Sequence, residues 1–320
     1  MRLFVSLFLV AASCGSSSND EQKLPDGSQI QCAAPETPTP STTSSSGLLR
    51  VTEAQDFVNL GDGSFIQEDF GRLEAMFPEG NVWRFLGTIP QWAVETTTQA
   101  GCTLHRYAPP FCTEACEGEE LCVAADTCAP FPASLSVGRL SIGGAQEVLS
   151  DTANGGAFGR GYGVTGASPL FDTGDPIVAC AEGGELPAFQ MTLPAPAPLG
   201  IEVPGEGIDF DPGTAYAFEW TPAGDDSRVR VELVNSNRGH GLPAELVIVC
   251  EADDAAGRID VAAELVDLLE SIEGSIPPGD ACAGNDCLRS RLTRLNSREL
   301  VAGEMSVTYE VGRERLFKPY

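Results

Sequence analysis

Two histidines, His105 and His240, serve a chain of 320 residues, and that scarcity removes most hydrolytic chemistry at once. A zincin needs an H-E-x-x-H pair one helical turn apart, and these two lie far apart in sequence. A G-x-S-x-G nucleophile elbow is missing as well, and neither histidine sits in a triad context. Cations are scarce too: 19 lysines and arginines face 46 aspartates and glutamates, for a formal net charge of −27. So acidic a chain repels nucleic acid and anionic headgroups, which excludes both as expected partners. The charge favours cations or basic partners, and above all a well-solvated surface. No apolar run reaches the ~20 residues that span a bilayer.

What the chain does have begins at its first residue. Arg2 precedes the apolar run Leu3 to Val10, then come Ala11, Ala12, Ser13 and Cys14. A charged start, a short apolar core and small residues are what an export signal requires. Val10-Ala11-Ala12-Ser13-Cys14 resembles the lipobox of bacterial lipoproteins, with Ala11 where leucine is usual. The resemblance implies that residues 1–13 are a signal peptide and that Cys14 becomes the acylated first residue. Ordinary cleavage after Ser13 is the alternative. Acyl chains on Cys14 would anchor firmly, at about 0.8 kcal/mol per buried CH₂.

Cysteine parity agrees. The chain has 11 cysteines, and an exported protein keeps few free thiols. With Cys14 as lipid carrier, ten remain to pair: Cys32, Cys102, Cys112, Cys116, Cys122, Cys128, Cys180, Cys250, Cys282 and Cys287. The spacing favours Cys112 with Cys122 and Cys116 with Cys128, leaving Cys102 for Cys32. Cys180 and Cys250 are set to join distant strands, and Cys282 and Cys287 to close a small loop. Zinc competes for the cluster, but a C-x2-C pair is missing and export disfavours free thiolates.

Composition divides the chain. Residues 14–47 are rich in serine, threonine and proline, cannot bury enough surface to order, and read as a tether. Residues 48–101 form a mixed, mainly β segment, with a short helix expected from Phe70 to Phe77. Residues 102–133, with five cysteines and few large apolar residues, form a disulfide-rich module. Residues 134–320 read as a β-sandwich: short alternating strands between glycine- and proline-rich turns. Strands are expected at Ser134 to Ile142, Phe189 to Leu193, Ala215 to Trp220, Val229 to Val234, Leu246 to Cys250 and Met305 to Val311. From Arg228 to Glu232 the alternation turns Val229 and Val231 inward and the charges outward. One helix is expected behind an Asp260 N-cap, with Val261, Leu265, Leu268, Leu269 and Ile272 as its apolar stripe and Gly274 as its stop. The fold class is therefore mainly β: an antiparallel sandwich, a small disulfide-rich module and one or two short helices.

Beyond Cys102 the chain resembles exported lipoproteins of myxobacteria and related deltaproteobacteria. The residues that carry this are the cysteine module ending in Cys128-Ala129-Pro130, the entry Val137-Gly138-Arg139-Leu140-Ser141, the Phe218-Glu219-Trp220 strand, and Arg238-Gly239-His240. The resemblance implies a surface lipoprotein with a β-sandwich and no particular reaction.

Chemistry-bearing candidates are few. Gly161-Tyr162-Gly163-Val164-Thr165-Gly166 matches G-x-G-x-x-G, but no helical pattern follows it, so a glycine-rich loop is expected rather than a dinucleotide site. Acidic pairs recur near turns, and Asp209 with Asp211 is the best calcium candidate, calcium being the one cofactor the sequence nominates. Trp83, Trp92 and Trp220 are candidates for a sugar-stacking platform, with Trp220 placed in the core. Two functions follow from different classes. The first is a non-enzymatic lipoprotein, bound to the bilayer through Cys14, that contacts a surface protein or glycan. The second is a polysaccharide hydrolase using paired carboxylates on a sandwich.

Overall fold

The computed structural model describes residues 45–59, 65–78, 84–86, 89–91, 94–107, 112–114, 116–117, 120–130, 134–146, 149–152, 154–156, 159–201, 208, 210–235, 246–273 and 290–317. The expected signal peptide, Cys14, Cys32, Trp83, Trp92, Asp209, His240, Gly274, Cys282 and Cys287 lie outside these residues, as does the tether up to residue 44.

The chain is mainly β. Its first strands are β1 (Ser45–Asn59), β2 (Phe65–Met76), β3 (Arg84–Leu86), β4 (Ile89–Gln91), β5 (Val94–Gln99) and β6 (Cys102–Tyr107). There follow β7 (Glu120–Ala124), β8 (Thr127–Pro130), β9 (Arg139–Gly143), β10 (Leu149–Thr152), β11 (Asn154–Gly156), β12 (Gly159–Gly166), β13 (Pro176–Ala181) and β14 (Phe189–Pro194). The last are β15 (Tyr216–Glu219), β16 (Arg228–Asn235), β17 (Leu246–Asp253), β18 (Arg258–Val261), β19 (Ser290–Ala302) and β20 (Met305–Phe317), with one α-helix, α1 (Ala263–Glu273). Among the described residues no helix is long and apolar enough to cross a membrane.

Ten strands form one sheet in the order β11-β12-β2-β1-β20-β19-β16-β17-β6-β5. It draws on segments that the composition separates: β1 and β2 come from the mixed segment, β6 from the start of the cysteine-rich stretch. β1 already begins at Ser45, inside the stretch read as tether. The sheet is mixed rather than purely antiparallel, because β1 runs parallel to β20 with Arg50 opposite Glu310.

Alternation sets the packing. Leu49, Val51, Leu73, Val307, Tyr309 and Val311 point to one face and meet Leu140, Ile142, Ile177, Ala179 and Phe189 of a four-stranded sheet, β10-β9-β13-β14. Farther along the same face Val229, Val231, Leu233 and Ile248 lie beneath the two-stranded β15-β18 sheet and α1, through Phe218, Ile259, Val261, Leu265 and Leu269. Each such side chain, buried fully, contributes about 1.5–3 kcal/mol. Two arginines, Arg294 buried and Arg313 half-buried, tie the loops over this face. Arg294 donates to the carbonyls of Pro198 and Thr221 and pairs with Asp254 at 2.8 Å. Arg313 donates to Pro196 and Phe171 carbonyls, pairs with Glu53 at 2.7 Å and lies over the Phe171 ring.

Several expectations are corrected. Phe70 to Phe77 is not helical but the end of β2 and the residue after it: Leu73, Ala75 and Phe77 are buried while Arg72 and Glu74 take the opposite face. The glycine run is strand rather than loop, β12 pairing with β11 and β2. Asp260 does not cap α1. Pairing with β15 keeps β18 extended through Val261, so the helix starts later and Leu265 and Val266 donate to the Ala262 carbonyl. Ser134 to Ile142 is regular strand only from Arg139 onward.

The disulfides divide in the same way. Cys112–Cys122 and Cys116–Cys128 form as the spacing favours. Cys102 pairs with Cys250, not Cys32, and Cys250 accordingly does not pair with Cys180. Register is the cause: Thr103 faces Val249 across β6 and β17, which brings Cys102 beside Cys250 with a Cα–Cα distance of 4.4 Å. Cys180 is disulfide-bonded as well.

Candidate functional site

The residues nominated by sequence do not converge. Asp211 is exposed in a turn, its carbonyl accepting from the Thr214 amide, and its calcium partner Asp209 lies outside the described residues. Trp220 is core, its indole N–H donating to the Asp254 carbonyl at 2.9 Å, so it offers no sugar platform. His105 is buried on β6, with Nδ1 3.2 Å from the Thr96 hydroxyl on the neighbouring strand. Cys112, Cys116 and Cys128 bring their sulfurs within 4.8 Å of one another, but disulfides occupy all three.

What does converge is charge, on the second face of the large sheet. Residues opposite one another in a ladder share a face. Arg50 stands opposite Glu310, Glu232 opposite Arg291, Arg230 opposite Glu251, and Thr52 opposite Arg72. β20 supplies Glu314, opposite Thr293 of β19. Six strands thus deliver arginines and glutamates to one patch, and most are buried: Glu232 is 1% exposed, Glu314 2%, Arg50 4%.

The contacts form a continuous network. Arg50 places Nε and Nη2 each 2.9 Å from Glu310 Oε2. Arg230 Nη1 lies 2.7 Å from the other oxygen of Glu310, and both arginines reach Glu232 Oε1 at 3.9 Å. Arg291 bridges Glu232 at 3.6 Å and Glu314 at 3.5 Å, and Arg72 closes on Glu314 at 2.5 Å. Burial pulls the Arg50 guanidinium down, but Glu310, Glu232 and Glu314 more than offset it, leaving it well above the ordinary arginine value. Arg230 and Arg72 are raised by the same balance, with Glu310 and Glu314 their respective first counter-charges. These cations stay charged at every accessible pH.

This decides what the patch can do. Glu232 and Glu310 share Arg50 Nη2 at 3.9 and 2.9 Å, so these oxygens lie no more than about 7 Å apart, close enough for the pair to be weighed as glycosidase carboxylates. A catalytic acid, however, is a carboxyl in an apolar or like-charged setting. Here both carboxylates face two guanidiniums. The arrangement fits a structural ion network, with permanent cations matched to buried anions, better than an acid and base awaiting substrate.

No protein-family model matches the chain, and no curated protein matches it in sequence.

Alternation turns the charges of β16 outward: Arg228 is exposed as expected, but Arg230 is half-buried and Glu232 is buried. Alternating charged and apolar residues look the same whether the polar face meets water or a buried partner. One signal was there to find: the cations are seventeen arginines to two lysines. Arginine is the cation suited to buried, multiply hydrogen-bonded ion pairs.

Proposed function

We propose that this chain is a non-enzymatic binding or structural module of the bacterial envelope, exported and held to a bilayer through acylated Cys14. The observation that carries the non-enzymatic part is the charge network. It is the place where buried carboxylates gather among the described residues, and each of its carboxylates is matched to arginine. The lipobox-like start, the Ser/Thr/Pro-rich segment and the resemblance to deltaproteobacterial lipoproteins support the tethered location. In this reading the large sheet is a stiff scaffold, and the contacts to a surface protein or glycan are made by loops and by the disulfide-bonded hairpin.

The test uses the full chain expressed in a bacterial host beside a Cys14→Ala version. A product that starts at Cys14, carries acyl mass and enters detergent only when Cys14 is present fits the proposal. A freely soluble, unmodified product would remove the tether. Turnover of a polysaccharide, lost in Glu310→Gln while the fold survives, would replace the binding role with the hydrolase reading.

A further inference from the structure

The β7-β8 hairpin is a sheet of its own, joined to neither larger sheet. Cys112, Cys116 and Cys122 are half-buried, Thr113, Glu114, Glu117 and Glu120 are exposed, and so are Ala125 to Cys128, so none of these residues belongs to the buried core. Its order therefore rests on local bonds. Two disulfides join it, Cys112–Cys122 and Cys116–Cys128, and Cys122 stands opposite Cys128 across the hairpin. A third link involves no sulfur: the Thr113 amide donates to Asp126 Oδ1 at 2.7 Å, holding the cysteine-bearing arm against the hairpin turn. The sulfurs of Cys112, Cys116 and Cys128 lie within 4.8 Å of one another, so the two disulfides are packed side by side.

Exposure separates these bonds from the other described pair. Cys128 is exposed and Cys112, Cys116 and Cys122 are half-buried, whereas Cys102 and Cys250 are each 2% exposed between strands of the large sheet. Thiol–disulfide exchange requires the attacking thiolate to reach a sulfur, so a solution dithiol meets the hairpin first. Each bond takes two electrons and two protons from that dithiol, which leaves as its cyclic disulfide. Four cysteine thiols result. The β7-β8 ladder and the Asp126–Thr113 bond remain, so the thiols stay clustered.

We propose that the hairpin, once reduced by a dithiol, is a thiolate site for one soft divalent cation of the Zn²⁺ or Cd²⁺ class, with Cys112, Cys116 and Cys128 as ligands and Cys122 as the fourth. The proposal is independent of the tethered location. A tetrahedral centre with metal–sulfur bonds of about 2.3 Å sets its sulfurs about 3.8 Å apart. Cys112, Cys116 and Cys128 already hold their sulfurs within 4.8 Å of one another, and the ladder keeps Cys122 opposite Cys128. Thiolate ligands select soft cations over calcium or magnesium. Binding displaces the thiol protons to solvent, so it strengthens as pH rises.

The test titrates Cd²⁺ into full-length protein that has been reduced with dithiothreitol and desalted without oxygen. Thiolate-to-metal charge-transfer absorption reports the ligand type, and native mass spectrometry reports stoichiometry. One Cd²⁺ per chain is expected in the reduced protein, with the absorption absent from the oxidised protein. It should vanish in Cys116→Ser/Cys128→Ser and persist in Cys102→Ser/Cys250→Ser. Circular dichroism of both variants checks that the large sheet survives. Absent charge-transfer absorption in the reduced wild type overturns the site. So does absorption that survives in Cys116→Ser/Cys128→Ser, because the thiolates would then lie elsewhere.

Discussion

At Arg50 the ionic gain more than offsets a large burial cost, so the residue matters most when its partner is taken away. Arg50→Ala leaves Glu310 buried without two of its donors, and removing one partner of a buried pair costs about 3–5 kcal/mol. Denaturant titration should show that loss, with Arg50→Lys intermediate because one ammonium replaces a two-nitrogen contact. The double change Arg50→Met/Glu310→Leu should cost much less than the single changes combined. Equal, additive losses would mean that the pair is not coupled. Tyr309 makes a second residue-level case. Burial holds its hydroxyl well above the ordinary value of 10.0, and it donates to the Ile177 carbonyl at 3.1 Å. The folded state therefore keeps a proton that the unfolded state releases. The contribution of neutral Tyr309 is complete below about pH 10 and is lost as pH climbs toward the folded value. Tyr309→Phe should cost about 1 kcal/mol at neutral pH yet give a shallower alkaline decline than wild type.

Among elements, the small sheet depends on a turn that admits only glycine. Gly144 follows β9 with φ +83°, and a Cβ there would stand 1.9 Å from the Pro176 carbonyl oxygen. Gly144→Ala meets both a left-handed backbone penalty of about 1–2 kcal/mol and an overpacking cost of about 1–3 kcal/mol. A thermal midpoint within a degree of wild type would contradict that packing. Elements were legible where one face alone decides them. The alternations at Phe189 to Leu193, Val229 to Val234 and Met305 to Val311 became strands, because apolar residues at every second position have one way to be buried. β2 reads as helix from sequence because Phe70, Leu73 and Phe77 also fall at helical spacing, and only the partners β1 and β12 select the strand. β19 has no legible strand pattern because Arg291, Arg294 and Arg298 interrupt the apolar alternation, and two of the three are buried. The disulfides follow the same rule. Cys112–Cys122 and Cys116–Cys128 span 10 and 12 residues and could be read locally, whereas Cys102–Cys250 spans 148 and depends on a register that no local pattern encodes.

For the whole molecule, charge is the dominant quantity. The buried network is close to balanced, so the −27 resides mainly at the surface, where like charges repel and salt screens them. The thermal midpoint should rise between 10 and 150 mM sodium chloride, while the cost of Arg50→Ala stays nearly constant because buried pairs are screened far less. A falling midpoint would place the controlling ion pairs at the surface instead. The parallel pairing of β1 with β20 carries a mechanical consequence. A pull on the chain ahead of Ser45 enters the sheet along β1, flanked by β20 on one side and β2 on the other. Both ladders are then loaded in shear along their length rather than peeled one rung at a time. A domain hung from that end would resist tension through many hydrogen bonds at once.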